Sequence, residues 1–227
     1  MLKKWDDLPD CMRTPEVAEY YEILKKKPLG LLCKRLFDIL VSFLLIIILS
    51  PIMLGISIWI KCDSKGPVMF RQTRITTAGK EFRIFKFRTM VTDAEKLGTQ
   101  VTVGKDPRIT KSGHFLRKFR LDELPQLLNV LAGDMSFVGT RPEVPRYVKQ
   151  YTPEMWATLL MPAGITSEAS IQYKDEDQLL EAAEDVDKVY VEQVLPDKMK
   201  YNLIYIKKFH FLRDIVIMFH TVFAVLQ

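Results

Sequence analysis

The feature that most constrains this 227-residue chain is a stretch of 22 residues, 39–60, without a single charged side chain. As a straight helix, at about 1.5 Å per residue, it would be about 33 Å long. The hydrocarbon core of a bilayer is about 30 Å thick, so such a helix is long enough to span it. The sequence therefore predicts a helix embedded in a membrane.

A Ser-Pro pair, Ser50-Pro51, lies near the middle of this stretch. Proline inside a helix removes one backbone hydrogen bond and bends or breaks the helix, while the Ser50 hydroxyl can help to satisfy a freed carbonyl. Both flanks of the stretch are basic, with Lys34, Arg35, Lys61 and Lys65 nearest to it. Since basic flanks favour the cytoplasm, a helix that turns at the pair and leaves on the side it entered meets this preference at both ends. From these residues alone, the re-entrant and the spanning path both stay open.

The net charge of +5 is distributed unevenly along the chain. Residues 61–121 carry 15 Lys and Arg against 5 Asp and Glu, whereas residues 167–198 carry 10 acidic against 3 basic residues. A basic block beside an apolar segment suits an anionic membrane surface or an anionic substrate. Nucleic acid is not an expected partner, because the block has neither a zinc-finger spacing nor an aromatic RNA-binding motif. The three scattered cysteines indicate reduced thiols.

Local patterns predict two elements outside the apolar stretch. A Thr-Pro pair that starts at Thr14 is typical of a helix start and predicts a short amphipathic helix over residues 15–27. Apolar and basic residues alternate over residues 67–90 around Ala78 and Gly79, which predicts a β-hairpin.

The second half of the chain is predicted to be mainly helical. Apolar residues recur with helical spacing from Leu121, and the glycine-containing stretch 132–143 is predicted to be a loop. The acidic stretch 175–193 is predicted to be helical. The apolar stripe near the C-terminus suits a core helix and an in-plane interfacial helix equally well.

Two adjacent carboxylates, Asp122 and Glu123, are the most informative candidates for chemistry. Ionised carboxylates can act as nucleophile, general base or ligand of a hard metal ion, although acidic residues also cap helix starts with no catalytic role. Several cations stand at turns or element ends, namely Lys86, Arg88, Arg117 and Arg141. Because guanidinium forks suit phosphate oxygens, the combination suggests phosphoryl transfer to or from a lipid at a membrane surface.

Several motifs in a fixed order carry a resemblance to a known family. They are KRLFD (34–38), the Ser-Pro pair, QTR, GKEF and FKFRTM (within 72–90), DPRIT (106–110), LRKFRLDELPQLLNVLAGDMSFVGTRPE (116–143) and PAGIT (162–166). The chain resembles the bacterial sugar transferase family, the small monotopic polyprenyl-phosphate phosphoglycosyl transferases. The resemblance runs from about Lys34 to about Phe219.

The patterns and the resemblance together predict an α+β fold, mostly helical with a small β-hairpin, in a monotopic membrane protein with a re-entrant helix-break-helix at Ser50-Pro51. We expect an N-terminal amphipathic segment over 1–33, a re-entrant membrane helix over 34–61, and a cytoplasmic catalytic domain over 62–227 with C-terminal amphipathic or interfacial helices. The resemblance also implies contact with membrane lipids at the cytoplasmic face of the bacterial inner membrane, and it is compatible with a homodimer.

The resemblance implies that the chain moves a sugar-1-phosphate from a UDP-sugar to undecaprenyl phosphate, releases UMP and so initiates glycoconjugate synthesis. Carried over by motif, Asp122 is the nucleophile of a covalent phospho-sugar intermediate and Glu123 is its partner. Mg²⁺ is the implied cofactor, with Asp122 as a metal ligand. Lys86, Arg117 and Arg141 match cations that bind the substrate phosphates. The alternative from another class is a non-catalytic membrane-docked scaffold or regulator with a decayed site.

Some positions depart from the pattern of the family. Thr140 stands where a proline is common, and Ser167 replaces a glycine. Lys174 stands where an arginine is expected, and Asn202 aligns with a family aspartate. These changes affect the expected contacts with the sugar and the nucleotide rather than the carboxylate pair.

Overall fold

The computed structural model describes residues 2–92, 94, 106–173, 176 and 185–226, without the side chains of residues 225 and 226. Lys174 and part of the predicted acidic helix 175–193 lie outside these residues. The described part is mostly helical and contains two small two-stranded sheets, which confirms the predicted class and the hairpin. The second sheet was not predicted.

Helix α1 runs from Pro15 to Lys25 and begins as predicted, because the Thr14 hydroxyl accepts a hydrogen bond from the Val17 amide. Its four buried side chains belong to the main hydrophobic core. They face a 3₁₀ segment, Met155–Leu160, and a long helix near the C-terminus, Leu195–Lys207. The N-terminal segment is therefore packed into the body of the protein.

A single helix, α2, extends from Pro28 to Asp63 and contains Pro51. It begins before the predicted boundary at residue 34, and the chain is not divided into two separate helices at the Ser-Pro pair. Pro51 has no amide hydrogen to donate to the carbonyl of Ile47. The Ser50 hydroxyl donates to that carbonyl instead, at 2.8 Å, and offsets part of the loss. The re-entrant path stays a prediction.

Helix α2 carries a long exposed apolar surface. Within the described residues it is the one helix long and apolar enough to cross a membrane, and little of its most apolar part is buried inside the protein. The exposed side chains include Leu40, Phe43, Ile47, Ile48, Ile52 and Leu54. A continuous apolar surface of this length is unfavourable in water, so it fits a membrane environment.

The basic residues that precede the apolar stretch bind to the protein itself. The buried Lys34 ammonium donates to Asp214 Oδ2 at 2.6 Å and to the carbonyl of Val138 at 2.7 Å. The Arg35 guanidinium donates to two carbonyls at the C-terminal end of a short helix, Gln126–Ala132, at 2.7 and 2.9 Å. Lys34 and Arg35, two residues of the basic flank, therefore anchor α2 to the rest of the protein.

The predicted hairpin consists of β1, Met69–Ile75, and β2, Glu81–Phe87, which pair antiparallel. Ala78 and Gly79 form the turn with φ angles of 54° and 72°, in the left-handed region. The register places Lys86 near the end of β2, on the strand that leads toward the carboxylate pair.

The second sheet is a parallel pair formed by β3, Met135–Val138, and β4, Ala163–Thr166. The prediction of a loop over 132–143 was therefore wrong for β3. Directly after β3, Gly139 faces Gly164 so closely that a Cβ on Gly164 would lie 2.2 Å from the Gly139 nitrogen. Only glycine fits at this contact, and the contact fixes the start of the loop that follows β3.

Helices connect and cover these strands. They are α3 (Lys111–Lys118), α4 (Gln126–Ala132), α5 (Pro145–Val148), α6 (Glu168–Gln172), α7 (Val186–Val189), α8 (Leu195–Lys207) and α9 (Phe211–Leu226). A π-helical turn, Tyr190–Val194, joins α7 to α8. Helix α9 leaves Val216, Phe219 and Phe223 exposed, which favours the interfacial alternative for this helix.

Candidate active site

The two adjacent carboxylates lie in a 3₁₀ turn, Leu121–Glu123, between α3 and α4. The chain enters this turn through Arg120, whose φ of 55° lies in a region that non-glycine residues rarely adopt. This conformation ends α3 and redirects the backbone. The helix that the apolar spacing predicts from residue 121 therefore begins only after the carboxylate pair, as α4.

Asp122 is buried, with 7% of its surface exposed. Its Oδ1 atom has no hydrogen-bond partner among the described residues. Burial raises the pKa of Asp122, and the positive charge of Lys86 opposes this shift. A buried, unpartnered carboxylate oxygen is costly, and such atoms are characteristic of functional sites. This oxygen is the strongest candidate in the turn for contact with a substrate or a metal ion.

Glu123 is held by two cations that bind the same oxygen. Lys86 Nζ lies 2.8 Å and Arg141 Nη2 lies 2.7 Å from Glu123 Oε1. Burial alone would raise the pKa of this carboxyl, but Arg141 and Lys86 hold it well below its usual range. The two cations therefore favour the ionised form of Glu123 and fix its position, whereas Asp122 Oδ1 has no hydrogen-bond partner in the described part of the chain.

Lys86 reaches Glu123 because hydrogen bonds hold β2 against α4. The side chain of Asn129 accepts a hydrogen bond from the Phe85 amide at 2.9 Å and donates to the carbonyl of Arg83 at 3.0 Å. Burial lowers the pKa of Lys86, and the charge of Glu123 opposes that shift. No sequence pattern singled out Asn129, whose side chain bridges the strand and the helix.

Arg141 reaches Glu123 from the loop that follows β3. The loop is also held to the hairpin, because Arg74 Nη1 donates to the carbonyl of Pro142 at 3.0 Å and the Ile75 amide donates to the carbonyl of Glu143 at 3.0 Å. The neighbouring Glu123 raises the pKa of Arg141 further above its ordinary value. Two separate segments, β2 and the loop after β3, thus bring a cation to one carboxylate.

The other predicted cations have different contacts. Arg117, on α3, donates from Nε to the Thr89 hydroxyl at 3.2 Å, and its charge lowers the pKa of Asp122. Arg117 does not share the Glu123 oxygen with Lys86 and Arg141. Arg88 is structural: its guanidinium binds the carbonyls of three residues at the C-terminal end of α2.

A cavity of about 170 Å³ is lined in part by Arg141. The residues of its wall that the sequence reasoning missed include Arg74, Glu143, Tyr190 and Lys198. Arg74 belongs to the QTR motif and Glu143 to the RPE sequence, but neither motif by itself suggested a role.

The three described departures from the family pattern do not line this cavity in the part of the chain that the structure covers. Thr140 is buried, and its carbonyl accepts a hydrogen bond from the Gly164 amide. Ser167 caps α6, since its hydroxyl accepts from the Ser170 amide at 3.0 Å. Asn202 is buried within α8.

The described residues contain no cluster of three or more His, Cys, Asp or Glu side chains that could hold a metal ion. Mg²⁺, however, commonly binds one or two carboxylates and completes its shell with water and substrate phosphates. The unpartnered oxygen of Asp122 fits a site of this kind. Asp122 would then be the protein's metal ligand.

The structure thus places a carboxylate pair beside two cations on a protein whose longest helix has an apolar surface. The family model for bacterial sugar transferases matches residues 29–227. The chain belongs to the bacterial sugar transferase family.

Relatives share the family but differ in the sugar that their names give. The chain is 37% identical over 207 residues to an Aeromonas hydrophila UDP-N-acetylgalactosamine-undecaprenyl-phosphate N-acetylgalactosaminephosphotransferase, covering 89% of this chain and 46% of the relative. It is 39% identical over 197 residues to the Escherichia coli K12 UDP-glucose:undecaprenyl-phosphate glucose-1-phosphate transferase, covering 85% of this chain and 40% of the relative. It is 39% identical over 135 residues to a putative undecaprenyl-phosphate N-acetylgalactosaminyl 1-phosphate transferase of Bacillus subtilis, covering 60% of this chain and 75% of the relative. The chain thus spans less than half the length of the first two relatives.

Proposed function

We propose that this chain is a phosphoglycosyl transferase that moves a sugar-1-phosphate from a UDP-sugar to undecaprenyl phosphate, releases UMP and so initiates the synthesis of a glycan. The observation that carries the proposal is the contrast within the carboxylate pair. Glu123 is fixed by two cations, while the neighbouring Asp122 keeps one buried oxygen that has no partner among the residues the structure describes. A nucleophile needs an oxygen that is free to attack, whereas a carboxylate that only positions other groups is held by fixed ion pairs, as Glu123 is.

In the first half-reaction, an Asp122 carboxylate oxygen attacks the phosphorus that carries the sugar. The bond from this phosphorus to the bridging oxygen breaks, and the electron pair leaves with UMP. The sugar phosphate remains on Asp122 as an acyl phosphate. In the second half-reaction, an oxygen of undecaprenyl phosphate attacks the same phosphorus and displaces the carboxylate. One difficult transfer is thereby divided into two steps.

The cations have separate tasks in this scheme. Arg141 and Lys86 fix Glu123 and present positive charge where the diphosphate would lie, and Arg117 favours the ionised form of Asp122. Placed charges stabilise the negative charge that develops on transferred phosphoryl oxygens. A bound Mg²⁺ would neutralise further phosphate charge, with Asp122 as its protein ligand.

The contacts that the two ends of α2 make near α4 support the proposal of a re-entrant membrane helix. Arg35 binds the C-terminal end of α4, whereas Ile60 belongs to an apolar cluster against which Leu124, just before α4, packs. Helix α4 is about 10 Å long, and a straight helix would separate Arg35 from Ile60 by about 37 Å. Two anchor points so close together favour a bend near Pro51, with both ends of the apolar stretch on the cytoplasmic face and lipids around its middle.

Native cysteines provide the test of this path. Cys33 and Cys62 are both exposed and flank the apolar stretch. A re-entrant helix predicts that a membrane-impermeant thiol reagent labels both from the cytoplasmic side in inside-out vesicles and neither in spheroplasts. Labelling of the two from opposite sides would reject the re-entrant path.

The function itself is tested with the full chain in nanodiscs, Mg²⁺, undecaprenyl phosphate and a panel of UDP-sugars, with UMP release as the readout. We expect one or a few donors to release UMP and to yield a lipid-linked sugar diphosphate. Asp122→Asn is the matched control. The alternative, a non-catalytic membrane-docked scaffold, predicts no UMP release with any nucleoside diphosphate sugar. Cross-linking in the same nanodiscs tests the proposed homodimer.

A further inference from the structure

The cavity beside Arg141 is a second polar chamber that shares one wall with the carboxylate pair. Arg141 lines the cavity and also binds Glu123, at 2.7 Å. Its volume of about 170 Å³ is below the range of about 300–1,000 Å³ that is typical of pockets for whole drug-sized ligands. The cavity therefore suits one ring of a donor rather than a complete nucleoside diphosphate sugar.

Three cations line the cavity, Arg74, Arg141 and Lys198, together with two carboxylates, Glu143 and Glu176. Arg141 is paired with Glu123, and Lys198 Nζ binds Glu176 Oε2 at 2.8 Å. The remaining charges on the wall are Arg74 and Glu143, which have opposite signs. Each cation of the wall therefore has a carboxylate counterpart once Glu123 is included, and such a polar chamber favours a neutral ligand with many hydrogen-bonding groups over another phosphate.

The carboxylate of Glu143 is held in place inside this chamber. The Tyr190 hydroxyl donates to Glu143 Oε1 at 2.6 Å, and Lys198 Nζ lies 3.4 Å from the same hydroxyl. The Tyr190 ring lies beside that of Tyr147, with ring centroids 4.7 Å apart. A fixed carboxylate accepts hydrogen bonds from ligand hydroxyls, and aromatic walls cover the apolar parts of a small ligand.

We propose that this cavity binds the sugar ring of the donor and that Glu143 accepts a hydrogen bond from one of its hydroxyls. This inference rests on the proposed function. The sugar is bonded to the phosphorus that Asp122 would attack, whereas the nucleoside is one phosphate further away. The chamber that adjoins the carboxylate pair through Arg141 is therefore the nearer to the sugar. A pyranose also offers several hydroxyl donors on one ring, whereas in uridine the uracil ring offers a single N–H and the two free hydroxyls are on the ribose.

The test measures binding in the full chain with Asp122→Asn, so that no donor is consumed. Dissociation constants for UDP and for a panel of UDP-sugars are determined in nanodiscs by calorimetry. The dissociation constant of UDP divided by that of the UDP-sugar measures the contribution of the sugar alone. Glu143→Gln should weaken the preferred UDP-sugar by about tenfold, the effect of one hydrogen bond to a charged group, and leave UDP unchanged. Tyr190→Phe, which releases Glu143 without altering its charge, should lower the ratio in the same direction.

Lys200→Met is the matched control, because Lys200 lies on α8 with Lys198 but is exposed and pairs with Asp197. It should leave both constants unchanged. Equal weakening of UDP and UDP-sugar by Glu143→Gln and Tyr190→Phe would assign the cavity to the nucleoside and overturn the proposal. So would unchanged ratios in both variants at native melting temperature. If the wild-type chain released no UMP but the ratio still depended on the sugar and on Glu143, the proposed reaction would be rejected and the assignment of the cavity would stand.

Discussion

Arg141 is the residue whose replacement examines the site most broadly, because it touches both the carboxylate pair and the cavity. Arg141→Ala removes one of two cations from Glu123 Oε1 and leaves Lys86. A hydrogen bond between charged groups contributes about 1.5–3 kcal/mol, and about 34% of the Arg141 side chain is exposed, so we take the lower end. Every 1.36 kcal/mol is about tenfold in rate. Loss of this contact alone therefore costs about tenfold.

A second loss follows if Arg141 also binds the transferring phosphate. Together we expect Arg141→Ala to lower kcat/KM for UMP release by about 100-fold. Arg141→Lys should recover about half of this loss on a logarithmic scale, because a single ammonium cannot bind Glu123 and a phosphate as a planar fork does.

The control is Lys118→Ala, since Lys118 belongs to the same basic stretch but lies over the Phe119 ring, at 5.5 Å. We expect its kcat/KM to stay within about twofold of wild type. Melting temperatures of all variants are recorded to exclude unfolding. Equal losses for Arg141→Ala and Lys118→Ala would show that general basicity, rather than a placed cation, supports the activity, and would refute the reasoning.

Three more results are expected. Replacing Ser50-Pro51 by Ala-Leu removes the cause of the proposed bend, so part of the molecules should become spanning in the thiol-labelling assay and lose activity. Unchanged labelling would contradict this. Lys34→Met leaves Asp214 buried without its cation and should destabilise the protein by about 3–5 kcal/mol, which a lower melting temperature would report. An unchanged melting temperature would show that the ion pair is not needed for stability. Burial raises the pKa of Asp122, and only the ionised carboxylate attacks, so kcat/KM should fall as the pH is lowered, with an apparent pKa above the ordinary aspartate range. An apparent pKa at or below about 4 would argue against Asp122 as the titrating group.

Local patterns were sufficient where neighbouring residues determine the structure. Thr14 caps α1, and Ala78 and Gly79 turn the hairpin, because capping and turn geometry depend on a few adjacent residues. The hairpin register pairs Lys86 with Phe70 but does not reveal what the Lys86 side chain contacts. Lys86 was a candidate because of the family resemblance, since no local pattern joins it to Glu123.

Contacts between distant segments could not be derived in this way. Strand β3 has four buried residues without alternation, and its partner β4 lies far along the chain, so no local period reveals the sheet. Lys34 and Arg35 have the sequence pattern of a basic membrane flank, yet they bind Asp214 and the end of α4. The cavity joins Arg74 to Lys198, and only the tertiary structure brings these two residues together.

The central claim is that Asp122 becomes covalently bonded to the sugar phosphate, and intact-protein and peptide mass spectrometry test it most directly. The full chain is incubated with its preferred UDP-sugar and Mg²⁺ but without undecaprenyl phosphate. We expect one equivalent of UMP, and a mass increase of one sugar phosphate that fragmentation assigns to Asp122; Asp122→Asn should show neither. An adduct on Glu123 would reverse the two roles, and full turnover by an Asp122→Asn protein shown to retain asparagine would contradict the account.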